Sequence, residues 1–424
     1  MKVIVLGAGV IGVTSAYFLA KAGHQVVVIE KNSESALGCS YANGGQLSYS
    51  HIKTWAEKSS LFSLFKAAIF PNSFLKISQI FDKNFFNWFC EFYKNSDEKK
   101  SQENSRRLFE LSSYSKQVLE QILAEEKDLK FDYKNKGILH FYRTKKSFEL
   151  AIKEAEFLIS LGSKAQILSA SDCIKKEPTL VKLFDEKKLA GGIFYDSDAS
   201  GNTMIFTQKL AKICQERYGV VFEYDAEIKN IFTNYKKITG INTNKGVFIA
   251  NKYVYALGAF GEKLLRGIKL DSKIYPLKGY SLSINADQEN IAPNLALSDS
   301  ENRIVYSRLG NVFRCAGAVE ICGFRNTKNK KQINFLKRVV GSTFSDFGDV
   351  GEIKEWFGFR PFRPNSLPLI CDVKKYENFL INSGHGSLGW TLSAASGKIL
   401  ADLVSNKTDE KFKFLQEDEK EIYS

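Results

Sequence analysis

Two short apolar runs frame the start of the chain, Lys2-Val3-Ile4-Val5-Leu6 and Gln25-Val26-Val27-Val28-Ile29. Their length and β-branched content predict buried parallel strands. Between them the spacing changes, and Ala16, Leu19 and Ala20 share one face of a predicted helix. The first run breaks into Gly7-Ala8-Gly9-Val10-Ile11-Gly12, and the second ends on Glu30 and Lys31. Strand, glycine-rich turn, helix, strand and acid come in the order that a dinucleotide-binding unit requires. Gly7 permits the tight turn, Gly9 lets the backbone approach a pyrophosphate, and Gly12 lets the helix pack on the strand. Free N–H groups at the helix start would receive the phosphates. Glu30, roughly 20 residues beyond the turn, is spaced to accept ribose hydroxyls and would repel a 2′-phosphate, which disfavours NADP. The cofactor-binding residues expected in this unit are Val3, Leu6, Gly7, Gly9, Val10, Ile11, Gly12, Glu30 and Lys31.

Beyond it runs a small-residue loop, Gly38-Cys39-Ser40-Tyr41-Ala42-Asn43-Gly44-Gly45-Gln46, whose glycines can bring backbone N–H groups against a phosphate or a flavin ring. From Trp55 to Tyr93 the chain turns aromatic, with Leu61-Phe62, Leu64-Phe65, Ile69-Phe70, Phe74-Leu75, Phe85-Phe86 and Trp88-Phe89 interrupted by lysines. That pattern suits a segment lying on a membrane surface, and equally helices packed on the protein's own core. Helices are predicted around 104–126 and 146–161, with an alternating strand from Gly137 to Tyr142 between them. Gly191 to Asn202 reads as a strand and an N-cap cluster, opening a helix over 203–217 and a strand at 220–223. Lys252 to Ala259 is another buried strand, ending at Gly258, and alternating runs over 271–350 predict an antiparallel sheet. Phe379 to Asn382, Ser383 to Gly389 and Trp390 to Leu403 then repeat strand, glycine turn and helix. The expected fold is α/β. A discontinuous Rossmann-like cofactor domain (1–54, 191–270 and 351–424) carries an α+β, antiparallel-sheet substrate domain (55–190 and 271–350).

Composition narrows the class. With 424 residues, 44% hydrophobic and 25% charged, the chain has the make-up of a soluble globular protein with a large core. Seven cysteines without a CxxC pair fit a reducing compartment, and four scattered histidines argue against a metal site. The first strand takes the place of a charged leader, and no apolar run approaches roughly 18 residues, so a cytoplasmic location is expected. The net charge of +13 is spread over lysines with no clustered basic arm. It reads as a lysine-rich composition in preference to attraction to nucleic acid or anionic lipid.

Five separated motifs carry a family resemblance. They are Val3 to Gly12 with Glu30, Ser40-Tyr41-Ala42-Asn43-Gly44-Gly45-Gln46, Tyr275-Pro276-Leu277-Lys278-Gly279-Tyr280-Ser281-Leu282, Gly358-Phe359-Arg360-Pro361, and Asn382 to Thr391. In this order they resemble the D-amino-acid dehydrogenase (small subunit) family, within the glycine oxidase, sarcosine oxidase and D-amino-acid oxidase superfamily of flavoproteins. The resemblance covers nearly the full length. It implies an FAD-binding domain, with the adenine end on the N-terminal unit and the isoalloxazine reaching toward the C-terminal turn. Ser40, Asn43, Gly44, Gly45, Gln46, Gly258, Gly384, His385, Gly386, Leu388, Gly389, Trp390 and Thr391 then join the expected cofactor-binding set. Neither Cys315 nor Cys371 falls in a motif for covalent attachment, so the FAD is expected to be non-covalent.

The family implies oxidative deamination of a D-amino acid to the imine, hydrolysed to 2-oxo acid and ammonia, with hydride passing from the substrate Cα to flavin N5. Electrons are expected to go on to a quinone or other acceptor, with segment 55–93 as a docking surface on the inner face of the cell membrane. A glycine or sarcosine-type oxidase using oxygen is the alternative. By the family's GxRP motif, Arg360 holds the substrate carboxylate through a two-bond guanidinium fork, and Arg363 is the nearby competitor. Lys278 either orders a water beside the flavin or is a solvated strand residue. Tyr280 and Tyr49 are further carboxylate partners to weigh. His385 packs or hydrogen-bonds at the flavin edge, with a proton relay as the other reading. Leu47-Ser48-Tyr49-Ser50-His51 departs from the family's Ser-Pro-Gly type and leaves side-chain preference open.

Overall fold

The strand Lys2–Leu6 (β1) is apolar on both faces because both are covered. Val3 and Val5 face the cluster built by the helix Val10–Lys21 (α1), while Ile4 and Leu6 face a second cluster with Ile231, Ile238 and Ile241. In the computed structural model, residues 1–50, 52–58, 60–61, 74–79, 82–286, 292–345, 352–407, 409–417 and 422 are described. β1 pairs in parallel with Gln25–Ile29 (β2) on one side and with Lys252–Tyr255 on the other. The full sheet has six strands, in the order Leu369–Asp372, Phe379–Ser383, Lys252–Tyr255, β1, β2, Val221–Glu223. Its neighbours therefore come from the first, middle and last parts of the sequence, as a discontinuous cofactor unit requires.

The second sheet is larger and mostly antiparallel. Its long strands are Tyr275–Asn285 (β3), Val312–Ile321 (β4) and Ile353–Phe362 (β5), with β3 in the middle. Tyr280, Leu282 and Ile284 point into a core shared with the helix Lys330–Thr343. The opposite face of β3 looks toward the loop 38–46, where Ser281 Oγ donates to the Ala42 carbonyl at 2.8 Å.

Some expected boundaries move. Gly191–Tyr195 pairs with Ile138–Tyr142, and β5 pairs with β3, so both strands belong to this large sheet instead of the cofactor unit. The long helix is Glu98–Glu125, starting before residue 104 because the Asp97 carboxylate accepts the N–H groups of Lys99 and Lys100. In the aromatic segment, the helix Lys83–Asn95 turns its rings inward: Trp88 Nε1 donates to the Phe362 carbonyl at 2.9 Å, and Trp88 stacks on Phe92. Phe86 and Tyr93 stay exposed, at 64% and 65%. Phe62, Leu64, Phe65, Ile69 and Phe70 lie outside the described residues, as does His51. No described helix is long and apolar enough to cross a membrane.

Candidate active site

A helix start leaves N–H groups that need partners. Among the described helices of eight or more residues, five are capped by a side chain: Asp82, Asp97, Thr144, Asn202 or Asn329. Two are not. One is α1 and the other is Gly389–Val404 (α2), and each follows a glycine-rich turn. β1 and the strand Phe379–Ser383 (β6) are both parallel to Lys252–Tyr255, which lies between them. Their following turns, and Gly258, therefore emerge at one edge of the sheet, where ligands of such folds bind. The two helices touch directly: a Cβ on Gly397 would lie 2.6 Å from the Thr14 backbone. Two open helix starts at one sheet edge suit an anionic group such as a phosphate.

The first turn is tight. Gly7 has φ +101°, and a Cβ on Gly12 would stand 1.9 Å from the Gly7 carbonyl oxygen. Ser40 Oγ accepts the Val10 N–H at 3.1 Å, while Ile11 and Gly12 have no capping side chain. Glu30 is held at the mouth of the turn, its Oε2 accepting from Ala8 N at 2.8 Å and its Oε1 from Asn32 N at 3.0 Å. Lys31 is exposed and lies over the Phe260 ring. The side chains of Val3, Leu6 and Val10 fill the core, which leaves only their backbone to meet a cofactor.

The loop 38–46 is pinned across the large sheet. Asn43 Oδ1 accepts from Gly45 N and Thr203 Oγ1, each at 2.9 Å, and Gln46 Nε2 donates to the Leu297 carbonyl at 2.8 Å. The Gly44 carbonyl accepts from Ser307 Oγ at 2.8 Å, and Gly45 takes φ +70°. Asn43 and Gln46 thus brace the loop with their side chains, and its carbonyls from Ala42 to Gly45 are held as well. In the second turn Gly384 and Gly386 take φ +82° and +55°, and Leu388 stands at the start of α2. Thr391 Oγ1 accepts the Ser48 N–H at 3.2 Å. Trp390 is turned into the core against Phe206 and Phe131, which removes it from the set of direct contacts.

Arg360 lies on β5, opposite Leu277 of β3, on the face that looks toward the loop. Its guanidinium sits where a Cβ on Gly279 would be, within 2.6 Å, and near Cys39. Burial lowers its pKa from the usual value, with Cys39 acting the other way, and it has no hydrogen bond or ion pair among the described residues. The backbone ties it to the second turn: Gly386 N donates to the Pro361 carbonyl at 2.8 Å, and Phe362 bridges to His385.

Lys278 and Tyr280 fall on the other face of β3, by strand alternation, which sets Tyr280 apart from the Arg360 carboxylate site, and Lys278 is fully buried, not a solvated strand residue. Lys278 Nζ donates to the carbonyls of Arg325 and Thr327 and lies 4.2 Å from the Phe357 ring centre. The Tyr280 hydroxyl donates to Glu320. Arg363 is fully buried, its Nε and Nη1 each donating at 3.3 Å to the carbonyls of Ser272 and Leu367. Tyr49 is also in the core, beside Tyr133 and Asp198. His385 Nε2 pairs with Ser396 Oγ at 2.8 Å, and burial pushes its pKa down to about 3, so it is neutral at physiological pH.

Trp356 escaped the sequence reading, and Cys39 and Tyr41 were read only as parts of the small-residue loop. Cys39, Tyr41 and Trp356 all lie around the Arg360 face, and the one signal for Trp356 was its spacing of four residues from Arg360 on a strand. Asp198 was read only as part of a turn. Its Oδ1 accepts the N–H groups of Tyr49 and Ser50 at 2.9 and 2.8 Å, and burial pushes its pKa up to about 7. Glu262 is likewise raised by burial to about 7. Unfolded carboxylates titrate near pH 4. Between about pH 4 and 7 the folded chain therefore holds protons that the unfolded chain has released, so this contribution is full at low pH and lost as pH rises. An asparagine at 198 can keep both backbone bonds without a charge. D198N should show a smaller fall in Tm between pH 5.5 and 8.5 than the parent, measured by thermal unfolding. An identical fall in both would remove Asp198 from the account.

Among the described residues, no cluster of His, Cys, Asp and Glu could hold a metal ion. Residues 2–403 match the model of a family described as FAD dependent oxidoreductase. A D-amino acid dehydrogenase of Neisseria meningitidis is 36% identical over 414 residues, 97% of each chain. The D-amino acid dehydrogenase 1 of Mesorhizobium japonicum is 33% identical over 410 residues, again 97% of each. Among solved structures, glycine oxidase from Bacillus cereus superposes with a TM-score of 0.76 at 20% identity, covering 100% of this chain and 98% of that one. L-proline dehydrogenase from P. horikoshii gives 0.76 at 16% identity, over 98% and 96%. At those identities the likeness shows the fold alone. With open helix starts and a glycine cradle suited to a dinucleotide, and a family match along nearly its whole length, this chain belongs to the FAD-dependent oxidoreductases.

Proposed function

We propose that the protein is an FAD-dependent D-amino-acid dehydrogenase, converting a D-amino acid to its imine and thence to 2-oxo acid and ammonia. The observation that carries this is Arg360: a guanidinium without a partner, presented next to the turn that opens α2. Bound FAD supplies the acceptor for the hydride lost from the substrate Cα. The Ile11 and Gly12 N–H groups would hold its pyrophosphate, Glu30 its ribose hydroxyls, and the uncapped start of α2 would favour negative charge placed there. Arg360 binds the substrate carboxylate in a two-bond fork, which fixes the Cα–H with respect to the cofactor. A neutral substrate amine suffices for this chemistry, so no proton-abstracting residue is needed, in keeping with a neutral His385 and a Lys278 engaged elsewhere.

Electrons leave to a quinone or another carrier, a reading supported by the name dehydrogenase on the curated relatives. Segment 55–93 supplies peripheral contact with the inner face of the cell membrane, where Phe86 and Tyr93 are exposed. The direct test is anaerobic titration of the yellow protein with a panel of D- and L-amino acids, glycine, sarcosine and proline. Bleaching by D-amino acids with little peroxide on readmission of air is expected. Bleaching by glycine or sarcosine alone, with stoichiometric peroxide, would assign an oxidase instead.

A further inference from the structure

We propose that Trp356 and Tyr41 form the side-chain subsite of the substrate pocket, selecting D-amino acids with apolar or aromatic side chains over cationic ones. This inference rests on the D-amino-acid reading above. β5 places Trp356, Gly358 and Arg360 on one face, two residues apart. Gly358 is paired directly with Gly279 of β3. A Cβ on Gly358 would lie 2.2 Å from the Trp356 indole, and one on Gly279 would lie 2.6 Å from the Arg360 guanidinium. Side-chain positions of a directly paired couple stand about 5 Å apart. The indole and the guanidinium therefore converge from opposite directions over one bare patch of backbone, and any side chain at either glycine would push one of them away.

The loop supplies the opposite wall. Cys39 comes close to Arg360, and the Tyr41 ring lies 6.3 Å from the Trp356 ring, tilted by 39°. Tyr41 is 43% exposed and Trp356 only partly buried, so this aromatic pair opens to solvent instead of filling the core. An amino acid anchored by its carboxylate on Arg360 has its side chain within reach of the two rings, where apolar surface is removed from water. No position of this face on β3 or β5 carries an acid, whereas Lys354 and Arg360 are both cationic. Among the described residues of this face, a lysine- or arginine-like side chain finds no counter-charge.

Steady-state kinetics of flavin-loaded wild type, W356A and W356F with D-phenylalanine, D-alanine and D-arginine, using an artificial electron acceptor, test this. The ratio of kcat/KM for D-phenylalanine to that for D-alanine should fall about tenfold in W356A and recover in W356F. Wild type should favour D-phenylalanine over D-arginine. Calorimetric binding of 3-phenylpropionate, which keeps the carboxylate and ring without the amine, should weaken by about the same factor in W356A. An unchanged ratio and unchanged affinity in W356A would reduce Trp356 to a prop for the loop and overturn the proposal. So would a wild type that prefers D-arginine. A wild type that oxidises no D-amino acid, yet still binds 3-phenylpropionate through Trp356, would overturn the D-amino-acid reading while leaving the aromatic wall as the carboxylate ligand's subsite.

Discussion

Replacing Arg360 by alanine should raise KM for D-alanine by two to three orders of magnitude while the protein stays yellow. Each hydrogen bond to a charged group is worth about 1.5–3 kcal/mol. A fork of two, at about 1.4 kcal/mol per tenfold, accounts for a loss of that size. The guanidinium has no described partner to release, so its removal leaves no orphaned acid behind. R360K keeps the charge and loses the fork, and should recover only part of the affinity. The readouts are flavin content by absorbance and initial rates over a wide substrate range. An unchanged KM would reject Arg360 as the anchor, and a colourless R360A would make it part of the flavin cradle.

G12A should purify without flavin. The added Cβ would stand 1.9 Å from the Gly7 carbonyl oxygen, which is backbone and cannot swing aside. Gly7 cannot retreat either, because its own Cβ position is 2.8 Å from the Ala256 carbonyl. The turn must open, and with it the start of α1 proposed to receive the pyrophosphate. Loss of a cofactor present at about 100 times its Kd removes roughly 2.7 kcal/mol of apparent stability, so the melting temperature should fall too. G23A is the control: Gly23 also has a positive φ, +84°, but open space around it. It should melt lower and remain yellow. Stoichiometric flavin in G12A would sink the assignment of this turn.

The cofactor unit was legible because its signals are local. β1, β2 and the glycine turn occupy one continuous stretch, and the C-terminal unit repeats the pattern with β6 and α2. The substrate side was less so, for two physical reasons. Nearly all of β3 is buried on both faces, so the alternation that would reveal which residues face Arg360 is erased. The partners that occupy Lys278 are the carbonyls of Arg325 and Thr327 and the Glu320 carboxylate at 4.0 Å, all 42 or more residues away in sequence. Lys278 and Tyr280 were thus read into the site although they point away from it. Trp390 was misplaced for the opposite reason, since a tryptophan inside a glycine-rich motif looks like a ligand contact while its ring serves the core beside Phe206. Residues 353–362 were placed with the cofactor domain because nothing local in that stretch announces its pairing with β3.

The cradle's two helix starts come from residues 10 and 389, flanking a strand from the middle of the chain. During synthesis, then, a ribosome must deliver almost the whole polypeptide before both halves of the cradle are in place. Early intermediates can assemble β1, α1 and β2 but cannot close the ring pocket. Coenzyme capture becomes a checkpoint for completed chains, and products cut short before α2 should be left to the cell's proteases.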